Sequence, residues 1–541
     1  MTRESAAAAE DEDHLIAHDV DQEPVEPNRR DYPGRAAHAV LGFAGLYAAF
    51  HLAALNGVSI SDWTGVEIPF LPTFPLETWN FRIVHVAGAL VLGFVLFAAH
   101  TRFPEKGQET PLLGYAAWAL ALPALFSIWT ALGIARDIAG GVMWNGIDEG
   151  FRFREIWLYG APLWVATAGA LVLGWLHRRD RAGFAAPDIV LGLCAISVAV
   201  YLVTIYGTLM RNSTGTPFAP IGISMAAVAG TALIMELTRR VAGMALIVIS
   251  AVFLAYVFLG PFLPGFLNAP AVSWQRFFSQ VYTDAGILGP TTAVSSTYII
   301  LFIVFAAFLQ ASKVGDYFVN FAFAVAGRAR GGPAKVAIFA SGLMGMINGT
   351  SAGNVVATGS LTIPLMKKVG YPRKTAGAVE AAASTGGQIM PPIMGAGAFI
   401  MAEITGIPYT EIAVAAIIPA VLYFVSVFFM VDFEAAKLGM RGMSADEIPR
   451  VGRMLRQIYL FIPIVILIYA LFVGYSVIRA GTLATVAAAV VSWLTPHRMG
   501  LGRIAQAFSL AGVMSIQIIA VCACAGIIVG VISLTGVGAR F

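Results

Sequence analysis

Residues 384–397 read STGGQIMPPIMGAG and lie between the apolar stretches AGAVEAAA and AFIMAE, where a membrane-crossing helix ought to run unbroken. The adjacent prolines Pro391 and Pro392 each remove a helix hydrogen bond and crowd the preceding turn, and the glycines weaken the helix further. In hydrocarbon an unsatisfied backbone group costs several kcal/mol, so a break of this kind persists only where protein buries it or where it lines a cavity. The stretch therefore marks an interior where backbone groups are free for use.

The rest of the chain supplies the membrane setting. Of 541 residues, 58% are hydrophobic and 12% charged, against roughly 25% charged in soluble domains. The fold class is an all-α polytopic membrane protein. The net charge of +3 is too small to point to a partner, and nothing in it suggests nucleic acid. Cys194, Cys522 and Cys524 all fall in apolar runs, and the C-x-C pair lacks the company of a zinc site. The first 35 residues have no apolar signal region and are acidic through Pro27, which reads as a disordered cytosolic tail (1–35) ending on Arg29, Arg30 and Arg35.

A crossing helix needs about 20 apolar residues. That rule gives 13 spans, near 36–57, 82–100, 112–134, 156–177, 187–209, 219–237, 242–263, 293–311, 376–403, 411–432, 457–476, 480–495 and 504–535. With the N-terminus inside, the cytosolic tail and loops hold 26 of the 34 lysines and arginines, as the positive-inside rule requires. This balance holds only if 334–369 enters and leaves on one side. That segment, AKVAIFASGLMGMINGTSAGNVVATGSLTIPLMKK over 334–368, has two short apolar arms around a tip of Gly, Asn, Ser and Thr. At 1.5 Å per residue each arm reaches only part-way across a bilayer. A re-entrant hairpin is expected, its tip at the depth of the 384–397 break.

Broken helices facing a hairpin tip suit ion and anion binding. Freed carbonyls and helix C-termini hold Na⁺, and helix N-termini face anionic groups. The candidate sodium and substrate residues are Asn348, Gly349, Ser351 and Asn354 at the tip, with Ser384, Thr385, Gly386, Gln388 and Pro391 at the break. Close helix packing and a simple kink are the alternative uses of such segments. Glu380, a carboxylate within a span, is a proton site, an ion ligand, or a structural partner for Lys374, Asn354 or a backbone amide. Glu236 is expected to pair with Arg239 and Arg240, and His51, His85 and His100 to be packing residues. No P-loop, H-E-x-x-H or G-x-S-x-G motif supports ATP-driven transport or hydrolysis, so no enzyme activity and no catalytic residues are expected.

The stretch 285–440 resembles the large membrane subunit of TRAP (tripartite ATP-independent periplasmic) transporters, more narrowly the fused permeases of the TAXI branch. The resemblance is carried by RGGPAKVAIFASGLMGMINGTSAGNVVATGSLTIPLMKKVGY (330–371), AGAVEAAASTGGQIMPPIMGAGAFIMAE (376–403) and AAIIPAVLYF (415–424), with MELTRRVAGMALIVISAVFLAYVFLGPFLPGFL (235–267) upstream. It implies an elevator transporter of inverted repeats in the bacterial inner membrane. A periplasmic binding protein would deliver an organic anion such as a C4-dicarboxylate, with sodium as the coupling ion and no other cofactor. It divides the chain into a region resembling a fused small subunit (36–234), a first repeat (235–456) with hairpin 334–369 and broken helix 376–403, and a second repeat (457–541). Nothing in 457–541 matches STGGQIMPP, and the chain stops at LTGVGARF, so a C-terminally truncated second repeat is expected. The alternatives are a stand-alone proton-coupled carrier, with Glu380 titrating, and an inactive membrane fragment.

Overall fold

The structure is a computed structural model that describes residues 28–58, 78–101, 103, 110–444, 448–495 and 498–539. Its regular structure is helical, and an isolated antiparallel bridge between Arg29 and Phe97 is the one extended pairing among the described residues. Ten helices are long and apolar enough to cross a membrane, and they coincide with ten of the expected spans. The other three expected spans are shorter helices. Residues 376–403 form two pieces, Arg373–Gly386 and Ala396–Thr405. The last two spans before the C-terminal helix are shortened by the turn between Phe472 and Val477, where Gly474 takes φ +94° and Ser476 caps Arg479 N–H.

Two expectations are corrected. Residues 312–335, which fall between expected spans, are not all loop and contain the helix Val314–Ala326, whose 13 residues are too few to cross a membrane. Residues 28–35, expected to belong to the disordered tail, are fastened in place; residues 1–27 lie outside the described residues. Arg30 N–H donates to Leu96 O at 2.8 Å, Asn28 accepts from Ala98 N–H at 2.9 Å, and Tyr32 Oη donates to Val95 O at 2.6 Å. The bonds to Leu96 O and Val95 O satisfy carbonyls at the end of Thr78–Leu96 that the helix itself leaves free.

The chain forms two compact units, one of residues 298–511 and one of residues 26–297 with 512–541. The second unit buries an ionic chain. Asp188 bridges Arg30 and Arg240, both at 2.7 Å, and Glu236 takes Arg240 at 2.8 Å and Arg239 at 2.9 Å. The pairing expected of Glu236 is thus one link in a longer network. Buried charges left unpaired are strongly destabilising, and here each carboxylate meets two guanidinium groups. The same unit holds a buried acid that the sequence did not single out. Glu155 accepts from Trp144 Nε1 at 2.8 Å, Tyr201 Oη at 2.6 Å and Gly222 N–H at 3.1 Å. His51 and His85 are both fully buried, joined at 2.8 Å, with His85 Nε2 2.9 Å from Ser295 Oγ.

The first unit contains the two breaks. Helices Gly332–Asn348 and Ser351–Lys368 are joined by a two-residue link and pack on each other and on Arg373–Gly386, and Gly332–Asn348 and Arg373–Gly386 also pack on Tyr409–Lys437. Small residues make this close packing possible: Ala334, Ala337, Ala376, Ala383 and Ala435 are fully buried where these helices meet. Between apolar helices in lipid, packing and hydrogen bonds supply the cohesion that water exclusion supplies elsewhere. Asp432 adds a clasp, pairing with Lys335 at 2.5 Å and with Arg330.

Candidate functional site

The link between the first two helices is set by Gly349. It adopts φ +60°, and its N–H closes on Gly345 O at 3.3 Å, the left-handed ending by which a helix stops abruptly. Thr350 is extended, and a new helix starts at Ser351. The second break begins where Arg373–Gly386 ends. A tight turn covers Gly387–Ile389, an irregular stretch follows to Gly395, and a helix resumes at Ala396. Within it the Pro391–Pro392 bond is cis and Met394 has φ +58°.

The two breaks are built against each other. A Cβ on Gly349 would lie 2.3 Å from Met394 O, and a Cβ on Gly345 would lie 2.3 Å from Gly387 Cα, so two backbones touch where side chains would normally separate them. Gln388 Nε2 donates to Ser351 Oγ at 3.3 Å, tying the break to the tip. Tyr409 Oη lies 2.7 Å from Pro392 O and 2.6 Å from Ile393 O, and its ring stacks on Phe399 at 4.2 Å. One hydroxyl proton serves only one of those carbonyls at a time. The break therefore keeps acceptor capacity to spare.

Beneath the tip lies a polar cluster inside the helix packing. Asn354, Thr358 and Thr362 recur every fourth residue and so share one face of their helix; Glu380 and Ser384 do the same on theirs. Ser341 completes the set from Gly332–Asn348, and all six side chains are 0% exposed. Glu380 Oε1 accepts from Ser341 Oγ and Ser384 Oγ, each at 3.2 Å, and from Thr358; Oε2 accepts from Thr362. Four hydroxyls thus meet one carboxyl, in place of the Lys374, Asn354 or backbone-amide partners that the sequence suggested. Asn354 Nδ2 donates instead to Ser341 O at 2.8 Å, and Asn354 Oδ1 is buried without a hydrogen-bond partner.

The candidate residues therefore fall into three groups. Ser384 and Asn354 join Glu380 in the buried cluster. Gly349, Ser351, Gln388 and Pro391 belong to the facing tip and break, where the backbone of Asn348 ends the first helix. Thr385 and Gly386 stand apart. Thr385 is exposed, with Oγ1 donating to Ala381 O of its own helix at 2.8 Å. Gly386 is buried against the Tyr423 ring, 2.6 Å from where its Cβ would be. Ser341, Thr358, Thr362 and Tyr409 were not singled out from the sequence. The four-residue spacing of 354, 358 and 362, matching that of 380 and 384, was the available signal. Among the described residues no group of three or more His, Cys, Asp or Glu side chains could hold a metal ion.

Two features now stand together: a bundle of membrane-length helices, and a hairpin tip packed on a helix break. The family model described as "Tripartite ATP-independent periplasmic transporter, DctM component" matches residues 229–541, more than half of the chain and including both breaks. The chain belongs to the DctM family of TRAP transporters. Curated relatives include the "C4-dicarboxylate TRAP transporter large permease protein DctM" of Pseudomonas aeruginosa, 30% identical over 121 residues, which are 22% of this chain and 28% of the relative. The protein of the same name from Vibrio cholerae is 35% identical over 91 residues, 17% of this chain and 20% of that one. That from Rhodobacter capsulatus is 26% identical over 152 residues, 28% and 34% of the two chains. The chain thus spans about a third or less of the length of these DctM relatives. Residues before 229 lie outside the DctM match.

Proposed function

We propose that this chain is the permease of a secondary transporter that imports an organic anion, a C4-dicarboxylate or a related carboxylate, by sodium symport. A periplasmic binding protein delivers the substrate, and the chain lies in the bacterial inner membrane with its N-terminus in the cytoplasm. The hairpin and the broken helix move together as the carrier part of an elevator. Residues 36–234 serve as a fused small subunit of the TAXI kind. The observation that carries this reading is the packing of the tip at Gly349 on Met394 O, which puts two helix interruptions side by side. That arrangement leaves spare carbonyl oxygens and two helix N-termini in one place, as ion-coupled carriers require.

Sodium has suitable donors here. Asn354 Oδ1 has no partner, and the Pro392 and Ile393 carbonyls share one hydroxyl. The direct test is uptake of labelled C4-dicarboxylate into proteoliposomes, with an inward Na⁺ gradient and the cognate binding protein outside. Uptake that ignores both the gradient and the binding protein would reject the proposal. Ser384→Ala combined with Thr385→Ala is expected to raise the Na⁺ concentration for half-maximal uptake about tenfold, the effect of losing one ligand bond, with expression intact. Unchanged Na⁺ activation would remove these hydroxyls from the ion site.

A second reading rests on Glu380, a buried carboxyl among four hydroxyls. In it a proton carried by Glu380 replaces Na⁺ as the coupling ion. Uptake driven by a pH gradient in sodium-free buffer would favour it.

A further inference from the structure

Far from the hairpin in sequence, the unit of residues 26–297 with 512–541 contains a cleft lined by Arg30, His100, Gly174, His177, Arg178 and Arg179. It has about 330 Å³ of empty space counting its open mouth. Its wall is cationic beyond what the carboxylates offset. Arg30, Arg178 and Arg179 line it against one carboxylate, Asp188, and behind the wall Arg240 and Arg239 pair with Asp188 and Glu236 while Arg179 also meets Asp180. Three nitrogens of this group are buried without a hydrogen-bond partner: Arg30 Nε, His100 Nε2 and Arg240 Nη2. Arg30 Nε and Arg240 Nη2 are donors on side chains 4% and 0% exposed. Arg240 Nη2 lies behind the wall, 3.7 Å from the position of a Cβ on Gly174, so its charge is close to the cleft without lining it.

The surroundings are those of a membrane boundary. The cleft sits at the ends of Thr78–Leu96 and Ala161–Leu176, just before Ala186–Tyr206 begins. Beside it, Trp175 is 57% exposed and carries Arg239 over its ring at 5.6 Å, while Val172 and Leu176 present apolar surface on the same helix. Interfacial tryptophan marks headgroup depth, and basic pockets between spans at that depth take phosphate headgroups. On the positive-inside reading this is the cytosolic leaflet.

We propose that the cleft binds the phosphodiester headgroup of an anionic phospholipid. The phosphate oxygens accept from Arg30 Nε and the exposed Arg178 and Arg179, with the Arg240 charge behind the wall, a headgroup hydroxyl donates to His100 Nε2, and an acyl chain runs along Val172 and Leu176. The lipid neutralises the excess charge and so ties the N-terminal segment at Arg30 to Asp188 and Arg240. The shared chemistry is a phosphate oxyanion, whether from a lipid or free in solution.

The test titrates the purified full chain with dioctanoyl phosphatidylglycerol, dioctanoyl phosphatidylcholine or inorganic phosphate, reading bound mass by native mass spectrometry. Saturable binding of phosphatidylglycerol in preference to phosphatidylcholine is expected. Each interfacial cation contributes about 1 kcal/mol, so Arg178→Gln with Arg179→Gln is expected to weaken it about thirtyfold. Gly174→Val keeps every charge and fills the cleft, and it too is expected to lose the bound lipid. Saturable binding of inorganic phosphate with the same two losses would keep the oxyanion site and assign it a soluble source. Equal affinity for the two lipids, or phosphatidylglycerol binding untouched by Gly174→Val, would overturn the proposal.

Discussion

Gly349→Leu is expected to abolish uptake, and Gly349→Ala to come close to doing so. Two constraints meet at this position. The left-handed φ of +60° costs roughly 1–2 kcal/mol for a residue with a Cβ. The larger constraint is space. A Cβ would stand 2.3 Å from Met394 O, and contacts under 3.0 Å are essentially never seen for real Cβ atoms. The oxygen cannot rotate away, because Met394 is itself held with φ +58° between the N–H of Gly395 on Gln388 O at 2.6 Å and the carbonyls bonded by Tyr409. Tip and break must therefore separate, and with them the bond from Gln388 to Ser351. Gly349→Asn distinguishes the two constraints, since asparagine tolerates left-handed backbone but still carries a Cβ. It is expected to fail as alanine does. Initial uptake rates and thermal midpoints in detergent give the readout, and wild-type uptake by Gly349→Ala would show that the close approach is not required.

The fold was readable where one segment declares itself. Pro391, Pro392 and the surrounding glycines announce a break without help from any other part of the chain, and the structure interrupts the helix between Gly386 and Ala396. The hairpin tip was equally local, signalled by its Gly, Asn, Ser and Thr, although the structure narrows the link to Gly349 and Thr350 and starts the next helix at Ser351. What failed was long-range. Glu380 was visible as a carboxyl in an apolar run, but its hydroxyl partners lie 4, 18, 22 and 39 positions away, and only closure of the helices brings them together. Glu155 was hidden among Arg152 and Arg154, because nothing local tells that it turns inward towards Tyr201 while Arg154 turns to Asp137. Residues 28–33 read as tail for the same reason: their bonding groups belong to residues 95–98 and 180–188.

Glu380 separates two kinds of substitution. Glu380→Leu is expected to cost about 3–5 kcal/mol, enough to leave little folded protein, because it strands several buried hydroxyls at about 1–3 kcal/mol each. Part of the loss is recovered locally. Thr358 and Thr362 already lie 2.9 Å from the carbonyls of Asn354 and Thr358 and can donate there instead, while Ser341 Oγ can turn only to neighbouring hydroxyls, Thr358 Oγ1 at 3.1 Å and Ser384 Oγ at 3.4 Å. Glu380→Gln is different. Its carbonyl oxygen keeps the Oε1 position for Ser341, Ser384 and Thr358, and its amide donates to Thr362, whose proton then turns to Thr358 O. Every member of the cluster stays bonded, so the cost falls to about 1 kcal/mol and the variant is expected to fold. Glutamine cannot carry a proton between sides of a membrane. If the cluster is a structural hub beneath a sodium site, Glu380→Gln retains Na⁺-driven uptake within about threefold of wild type, the range of one modest hydrogen bond. A folded Glu380→Gln that has lost uptake, or lost its response to a pH gradient alone, would make the carboxyl a proton carrier and overturn sodium coupling as the primary reading.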